Sequence, residues 1–411
     1  MLFRRIGVFA MKEYLIEGFR WYGKRDHVSL SYIRQSGATD VFSSLHEIPY
    51  GEIWSVEAIK AHQKICADAG LNWSVVESLP VHEDIKTQRG DWKKYIENYK
   101  ISLRNLAECG IKIIIYNFMP VLDWIRTDLK FRLPDGSRCL RFDAAQFAAF
   151  DMFVLRRSGA ENTYSEDIKV RAKKFFDALS PSQISEFESS IMDVFPGCKM
   201  GLKAEDLRRM LSNYEGIDEK KLKENLAYFL REVTPVAAEL GQKMAIHPDD
   251  PPFDVLGLPR IASNVEDFKD IVNSCDNSAN GICFCTGSLS ASAKNDLPKM
   301  IDELQDKIFC THLRSTKIEE DGSFYEAGHL EGGVPMPVVV EKLMELQAKR
   351  KAAGEPLLVF RPDHGRDMAD DLEKPFPDNP GYNFIGRMKG LAEIRGLMRG
   401  LMRGLMYKDS K

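Results

Sequence analysis

Four stretches place metal-ligand residue types directly behind apolar runs: AIHPDDPPF at 245 to 253, ICFCT at 282 to 286, IFCTHL at 308 to 313 and PLLVFRPDHG at 356 to 365. In the first, Pro248, Pro251 and Pro252 stop any strand, because proline fixes φ and has no N–H to give a ladder. His247 is thereby left at the strand's C-terminal end. The next three runs end in Cys285, in His312, and in Asp363 followed by His364. Residues two apart share one face of a strand, so Cys283 pairs with Cys285, Cys310 with His312, and Arg361 with Asp363. The later member of each pair lies at the mouth and the earlier one a layer down. That makes His247, Cys285, His312 and Asp363 the metal-ligand candidates and leaves Cys283 and Cys310 as core residues. Two imidazoles, a thiolate and a carboxylate suit a divalent transition metal, the thiolate favouring zinc or iron and the carboxylate manganese. A lone histidine at a strand end is ordinarily a hydrogen-bonding residue, but four consecutive strands ending in ligand types argue for a site.

The elements that position these residues alternate in kind. Strands are expected at 19 to 22, 41 to 45, 72 to 78, 112 to 118, 243 to 247, 282 to 286, 308 to 313 and 356 to 362, with amphipathic helices between them. The helices of 54 to 70 and 91 to 110 each run an apolar face up to a terminal glycine, Gly70 and Gly110, the usual C-terminal stop. Runs such as KIIIYNF, apolar on both faces, suit a parallel sheet covered by helices. Eight such units are the count of a TIM (β/α)8 barrel, whose functional groups sit at the C-terminal ends of its strands. The chain then divides into an N-terminal extension, 1 to 18, and one barrel domain, 19 to 411. Within that domain, residues 119 to 217 read as a long helical insertion after the fourth strand, serving either as a stabilising excursion or as a lid. The repeat RGLMRGLMRGLM at 395 to 406 reads as the apolar stripe of the last helix, with partner binding as the alternative.

Composition narrows the function classes. A length of 411 residues, with 57 Lys and Arg against 61 Asp and Glu, gives a nearly balanced charge of -4. No basic stripe is interleaved with aromatics, which argues against a nucleic-acid partner. The leading patch IGVFA is too short for a signal-peptide core, and no apolar run is long enough to span a bilayer. Eight scattered cysteines without a CxxC point to a reducing compartment, so a soluble cytoplasmic protein is expected, with a homo-oligomer left open.

Beyond these patterns, FRWYG, LHEIPYGEIWSVE, WSVVESLPVHEDIKT, YNFMPVLDWIRTDL, AIHPDDPP, LGLPRI, CTGS, THLRS, RPDHG and NPGYNFIGRMKGLAEIRG occur in order from about Phe19 to Gly396. In these motifs the chain resembles the mannonate dehydratase family of hexuronate catabolism. The resemblance implies a metal-dependent TIM barrel of the xylose isomerase type that converts D-mannonate to 2-keto-3-deoxy-D-gluconate and water. It also implies manganese or ferrous iron at His247, Cys285, His312 and Asp363, and a catalytic tyrosine at Tyr382. The segment before Phe19 and the RGLM repeats lie outside the shared pattern.

Such a reaction removes a proton from C2, beside the carboxylate, and hydroxide from C3; a metal held at the carboxylate stabilises the charge that develops there. Arg20, Arg314 and Arg361 at strand ends can pair with an acid sugar, and Asn117 with its hydroxyls. Tyr382 and His364 follow the last strand as proton-transfer candidates, and Asp363 is a ligand, a base, or a ligand that shifts away. A metal-dependent sugar isomerase of the same barrel, a zinc nuclease and a non-catalytic sugar-acid binding protein are the rival classes. One thiolate among several arginines suits an acid sugar better than the first, and balanced charge speaks against the second.

Overall fold

A computed structural model describes residues 12–192 and 203–409. Residues 1–11, which hold the patch IGVFA, and residues 193–202 of the expected insertion lie outside the described residues, as do 410 and 411. Eight parallel strands close into a barrel: β1 (Ile16–Arg20), β2 (Asp40–Ser43), β3 (Asn72–Glu77) and β4 (Ile113–Tyr116) come from the first part of the chain. Between them and the rest, β5 (Asp128–Arg132) and β6 (Arg138–Phe142) stand outside the barrel. β7 (Lys243–Ile246), β8 (Asn280–Cys285) and β9 (Ile308–Leu313) continue the barrel, β10 (Thr316–Ile318) and β11 (Phe324–Glu326) leave it, and β12 (Val359–Pro362) closes it against β1.

Strand parity builds the core. In β4, Ile113 and Ile115 point into the barrel, while Ile114 and Tyr116 face the surrounding helices. The interior is filled by Phe42, Val75, Ile113, Ile115, Ala245, Cys283, Phe309, Cys310 and Val359, so both cysteines assigned to the core are in it. Truncating one of these large side chains, as in Ile115→Ala, costs about 2–5 kcal/mol, the lost transfer energy plus the cavity. The outer helices start and stop as their residues dictate. Val56–Asp68 is capped by the Ser55 hydroxyl, which accepts from the Ala58 N–H, buries Ile59, His62 and Cys66, and is followed by Gly70 at φ +73°.

Two expectations are corrected. The first strand begins at Ile16, so the barrel starts inside the stretch read as an extension, and Trp21 and Tyr22 lie beyond it. The insertion is not purely helical, since it contributes β5 and β6 to a four-stranded antiparallel sheet of order β10-β11-β6-β5. DLKFR and RCLRF carry too many charges to read as strands, yet the turn between them, LPDGS, was visible in its Pro-Asp-Gly. Gly136 there adopts φ +86° and closes the Leu133–Ser137 hairpin turn. The last helix, Phe384–Asp409, contains the RGLM repeats. It buries Leu391, Ile394 and Met398 and half-buries Leu397, Leu401 and Met402 against the barrel.

Candidate metal centre and its acid–base groups

Barrel register sets the level of the site. Cys285 of β8 pairs with His312 of β9, which pairs with Arg361 of β12, so the three stand in one row across adjacent strands. His247 follows β7 directly, where its N–H bonds to the Tyr116 carbonyl. Among the described residues, His247, Cys285 and His312 form the one group of three or more potential ligands, with their donor atoms within 4.8 Å of one another. Cys285 and His312 have no exposed surface.

The hydrogen bonds orient both rings toward the same point. His247 Nδ1 lies 2.7 Å from the Pro248 carbonyl, which can only accept, so this nitrogen carries the hydrogen and Nε2 keeps its lone pair. His312 turns Nε2 toward Glu77, 3.5 Å from a carboxylate oxygen, and Nδ1 toward His247 Nε2, 3.2 Å away. His312 Nδ1 also lies 3.2 Å from Arg361 Nη2, so both ring nitrogens present lone pairs to one point beside the thiol where a cation can be held. A carboxylate behind a ligating histidine is the usual way to fix its tautomer. The donor set, two nitrogens and one sulfur, fits a divalent transition metal.

Asp363 stands one residue past β12 and lies outside that ligand group. Its Oδ2 is 3.5 Å from Cys285 Sγ and 2.9 Å from Arg314 Nη1; its Oδ1 accepts from Arg361 and, at 3.0 Å, from the Tyr382 hydroxyl. Burial pushes its carboxyl up, but Arg361, His364 and Arg314 outweigh this and hold it well below the ordinary carboxylate range. Tyr382 is pushed well above the ordinary phenol range by burial and by the Asp363 charge, so its hydroxyl is protonated. Its ring meets His364 edge-on with centroids 4.9 Å apart. His364 places Nδ1 3.0 Å from Glu326 Oε1.

The arginines differ from expectation. Arg361 is clamped by Glu77, at 2.8 Å through Nε and 2.6 Å through Nη2. Arg314 spans Asp250 and Asp363, each at 2.9 Å, and Glu326 at 3.0 Å. Both guanidiniums are buried and committed to protein carboxylates, because a buried cation must be paired to offset its desolvation. Arg20 is less committed: its Nη1 donates to the Phe42 carbonyl at 3.1 Å, and its Nε has no hydrogen-bond partner. Asn117 follows β4 at the same end and is half-buried. Four residues of the centre were missed, three of them buried. Glu77 ends β3 and was open to the same strand-end argument. Asp250 lies in the HPDD motif itself. Arg126, which binds Asp250 at 2.8 Å and Glu326 at 2.9 Å, and Glu326 carry no local signal. A separate cavity of about 530 Å³, lined by residues such as Ser292, Asn295, Lys317 and Gly333, touches none of the ligand triad.

The fold and this centre define a class: a (β/α)8 barrel whose C-terminal mouth carries a His-Cys-His cluster able to hold a metal, flanked by a tyrosine and a histidine able to move protons. The profile of the D-mannonate dehydratase (UxuA) family matches residues 15–408, and the chain belongs to that family. The match runs past both limits of the motif resemblance and takes in the RGLM repeats. A mannonate dehydratase from Marinomonas sp. (strain MWYL1) is 50% identical over 381 residues, covering 92% of this chain and 97% of that protein. One from Saccharophagus degradans is 45% identical over 384 residues, covering 93% and 96%. The crystal structure of mannonate dehydratase from Streptococcus suis serotype2 superposes with a TM-score of 0.76 at 32% identity, covering 96% of each chain.

Proposed function

We propose that this chain is a hydro-lyase that dehydrates D-mannonate to 2-keto-3-deoxy-D-gluconate, using one divalent metal ion, Mn2+ or Fe2+. The observation that carries the reading is the convergence of the His247, Cys285 and His312 donor atoms beside Tyr382 and His364, in a chain half identical to a mannonate dehydratase. His247, Cys285 and His312 would hold the ion, with Asp363, next to the thiol, as the fourth ligand. When bound, the ion supplies Lewis-acid stabilisation of the charge that develops on the substrate carboxylate.

The chain's own groups supply the proton chemistry. His364 accepts the C2 proton at Nε2, because its Nδ1 faces the Glu326 carboxylate. Tyr382, kept protonated by burial, donates from its hydroxyl to the C3 oxygen, which departs as water. The enol left behind takes a proton at C3 and gives up its C2 hydroxyl proton to water, which yields the keto acid. Asp363 aims the tyrosine hydroxyl. Arg20, whose Nε has no hydrogen-bond partner and faces Glu77 only at 3.9 Å, and Asn117 bind the sugar acid, while Arg314 and Arg361 serve chiefly to hold the carboxylates in place. The described residues between β4 and the helix Glu219–Glu239, 119 to 192 and 203 to 217, act as a cover over this end of one catalytic domain. Among the described residues no helix is long and apolar enough to cross a membrane, and the seven described cysteines are all free; the free thiols support a reducing compartment, which we take to be the cytoplasm.

The test is incubation of Mn2+- or Fe2+-reconstituted protein with D-mannonate. Formation of a 2-keto-3-deoxy acid supports the reading. Metal-loaded, folded protein that leaves mannonate intact refutes it.

A further inference from the structure

Glu326 sits in the middle of the centre yet comes from outside the barrel. After His312, β9 runs on through Arg314 into β10, and the β10–β11 hairpin turns the chain back so that Glu326 pairs in register with Thr316. Its side chain thus returns to the strand end that carries the ligand His312. The insertion holds it there from the other side: β6 pairs with β11 through Phe142 and Phe324, and Arg126, just before β5, donates to Glu326 Oε1 at 2.9 Å. The result is a carboxylate with 1% exposure, fixed on two sides, 3.0 Å from His364 Nδ1.

What that carboxylate does to the ring follows from its charge. Burial would raise its carboxyl, but the Arg314 and Arg126 guanidiniums and the hydrogen bond from His364 hold it down at about 2, so it is ionised and only accepts. The nitrogen facing it therefore carries the hydrogen, and the lone pair of the neutral ring sits on Nε2. Arg314 Nη1, 3.3 Å from the same Nδ1, is already bonded to Asp363 at 2.9 Å and adds no acceptor. Trp124, 5.6 Å from the imidazole centroid, and Tyr382 limit the ring's rotation.

We infer that Glu326 is the positioning residue for His364, fixing the tautomer and orientation that present Nε2 to the substrate, and that the sheet formed by the insertion and the β10–β11 hairpin serves to hold Glu326 there. This rests on the reading of His364 as the acceptor of the C2 proton. It gives the insertion a task beyond covering the mouth, since Arg126 and β6 both brace the same carboxylate.

Glu326→Gln preserves size and the β11 backbone while removing the charge that dictates the tautomer. In the metal-loaded enzyme it is expected to lower kcat by about 10²-fold, within the range that a correctly placed base contributes, with little change in KM or metal content. The kinetic isotope effect with C2-deuterated mannonate should rise as proton removal becomes fully rate-limiting. A measurement needing no variant of Glu326 accompanies it: ¹⁵N-histidine NMR of the zinc-loaded protein, with the His364 resonances identified by their loss in His364→Asn, should show Nδ1–H in the wild type. Wild-type kcat in Glu326→Gln beside an inactive His364→Asn, or an Nε2–H tautomer in the native protein, overturns the inference about Glu326. Full activity in His364→Asn overturns the base assignment, and the positioning role with it.

Discussion

Glu77→Gln separates metal support from simple charge pairing. Glu77 forms a two-pronged pair with Arg361, at 2.6 and 2.8 Å, and faces His312 Nε2 at 3.5 Å. Its other cationic neighbour, Arg20, is 3.9 Å away. Its carboxyl is raised by burial, but Arg361, His312 and Arg20 prevail and hold it well below the ordinary range, so the substitution removes a full charge. Breaking one side of a buried ion pair costs about 3–5 kcal/mol. Arg361 keeps Asp363 as a second partner, which puts the expected loss near the lower end, about 3 kcal/mol. Losing the carboxylate behind a ligating histidine weakens metal binding about 10–100-fold, or about 1.4–2.7 kcal/mol. Urea unfolding of the metal-free protein measures the first quantity, and competition for Mn2+ against a chelator of known affinity measures the second. A variant that loses stability but binds Mn2+ like the wild type would show Glu77 to be only the counter-ion of Arg361. Unchanged stability would refute the pairing argument itself.

Other outcomes are open to direct measurement. His247→Ala, Cys285→Ala and His312→Ala should each lower metal content and abolish turnover; full metal occupancy with ordinary activity in the cysteine variant removes Cys285 from the site. Peroxide should inactivate the enzyme, with recovery on adding thiol and metal, because a thiolate ligand is oxidisable; indifference to peroxide argues that Cys285 is unligated. Tyr382→Phe should retain fold and metal but lose about 10²–10⁴-fold in kcat, the usual contribution of a proton-transfer group; near wild-type kcat assigns the acid elsewhere. Asp250 and Glu326 are both held below ordinary carboxyl values. The stability they contribute is therefore fully present above the unfolded-state values near 4 and is lost as pH falls, for Glu326 through about 2. Replacing Arg126 by Met should shrink this acid-labile component, read as the change in unfolding free energy between pH 7 and pH 3.

Much of this centre was legible because strands impose parity. The distinction between Cys285 and Cys283, or His312 and Cys310, needs only the two-residue repeat and a proline or loop that marks the strand's end, and the observed register pairs Cys285 with His312 and Cys283 with Cys310. Glu77 obeys the same rule at the end of β3, but a search confined to the last four strands passed it by. Glu326 and Arg126 were not legible at all. Their places depend on a hairpin register and on β6 pairing with β11, about 180 residues later, an interaction between distant segments that leaves no local period. The arginines show a different limit: Arg314 and Arg361 were located at the mouth, but whether a guanidinium is free for substrate depends on which carboxylates fold in beside it.

Those carboxylates make the charge balance of the site intelligible. Four buried arginines, Arg20, Arg126, Arg314 and Arg361, stand against four carboxylates, the half-buried Glu77 and the buried Asp250, Glu326 and Asp363. With Cys285 as a neutral thiol, these eight groups sum to zero, which a desolvated interior requires. A divalent ion held there would add two positive charges, and ligation would deprotonate the thiol, leaving one positive charge in excess. A sugar acid brings one negative charge and restores neutrality, whereas a neutral aldose would not. On this accounting the preference for an acid substrate comes from the whole set rather than from any single arginine. Cys285→Ser, which ligates poorly as an anion, should therefore weaken substrate binding less than metal binding, because the carboxylate of the substrate then meets a more positive site.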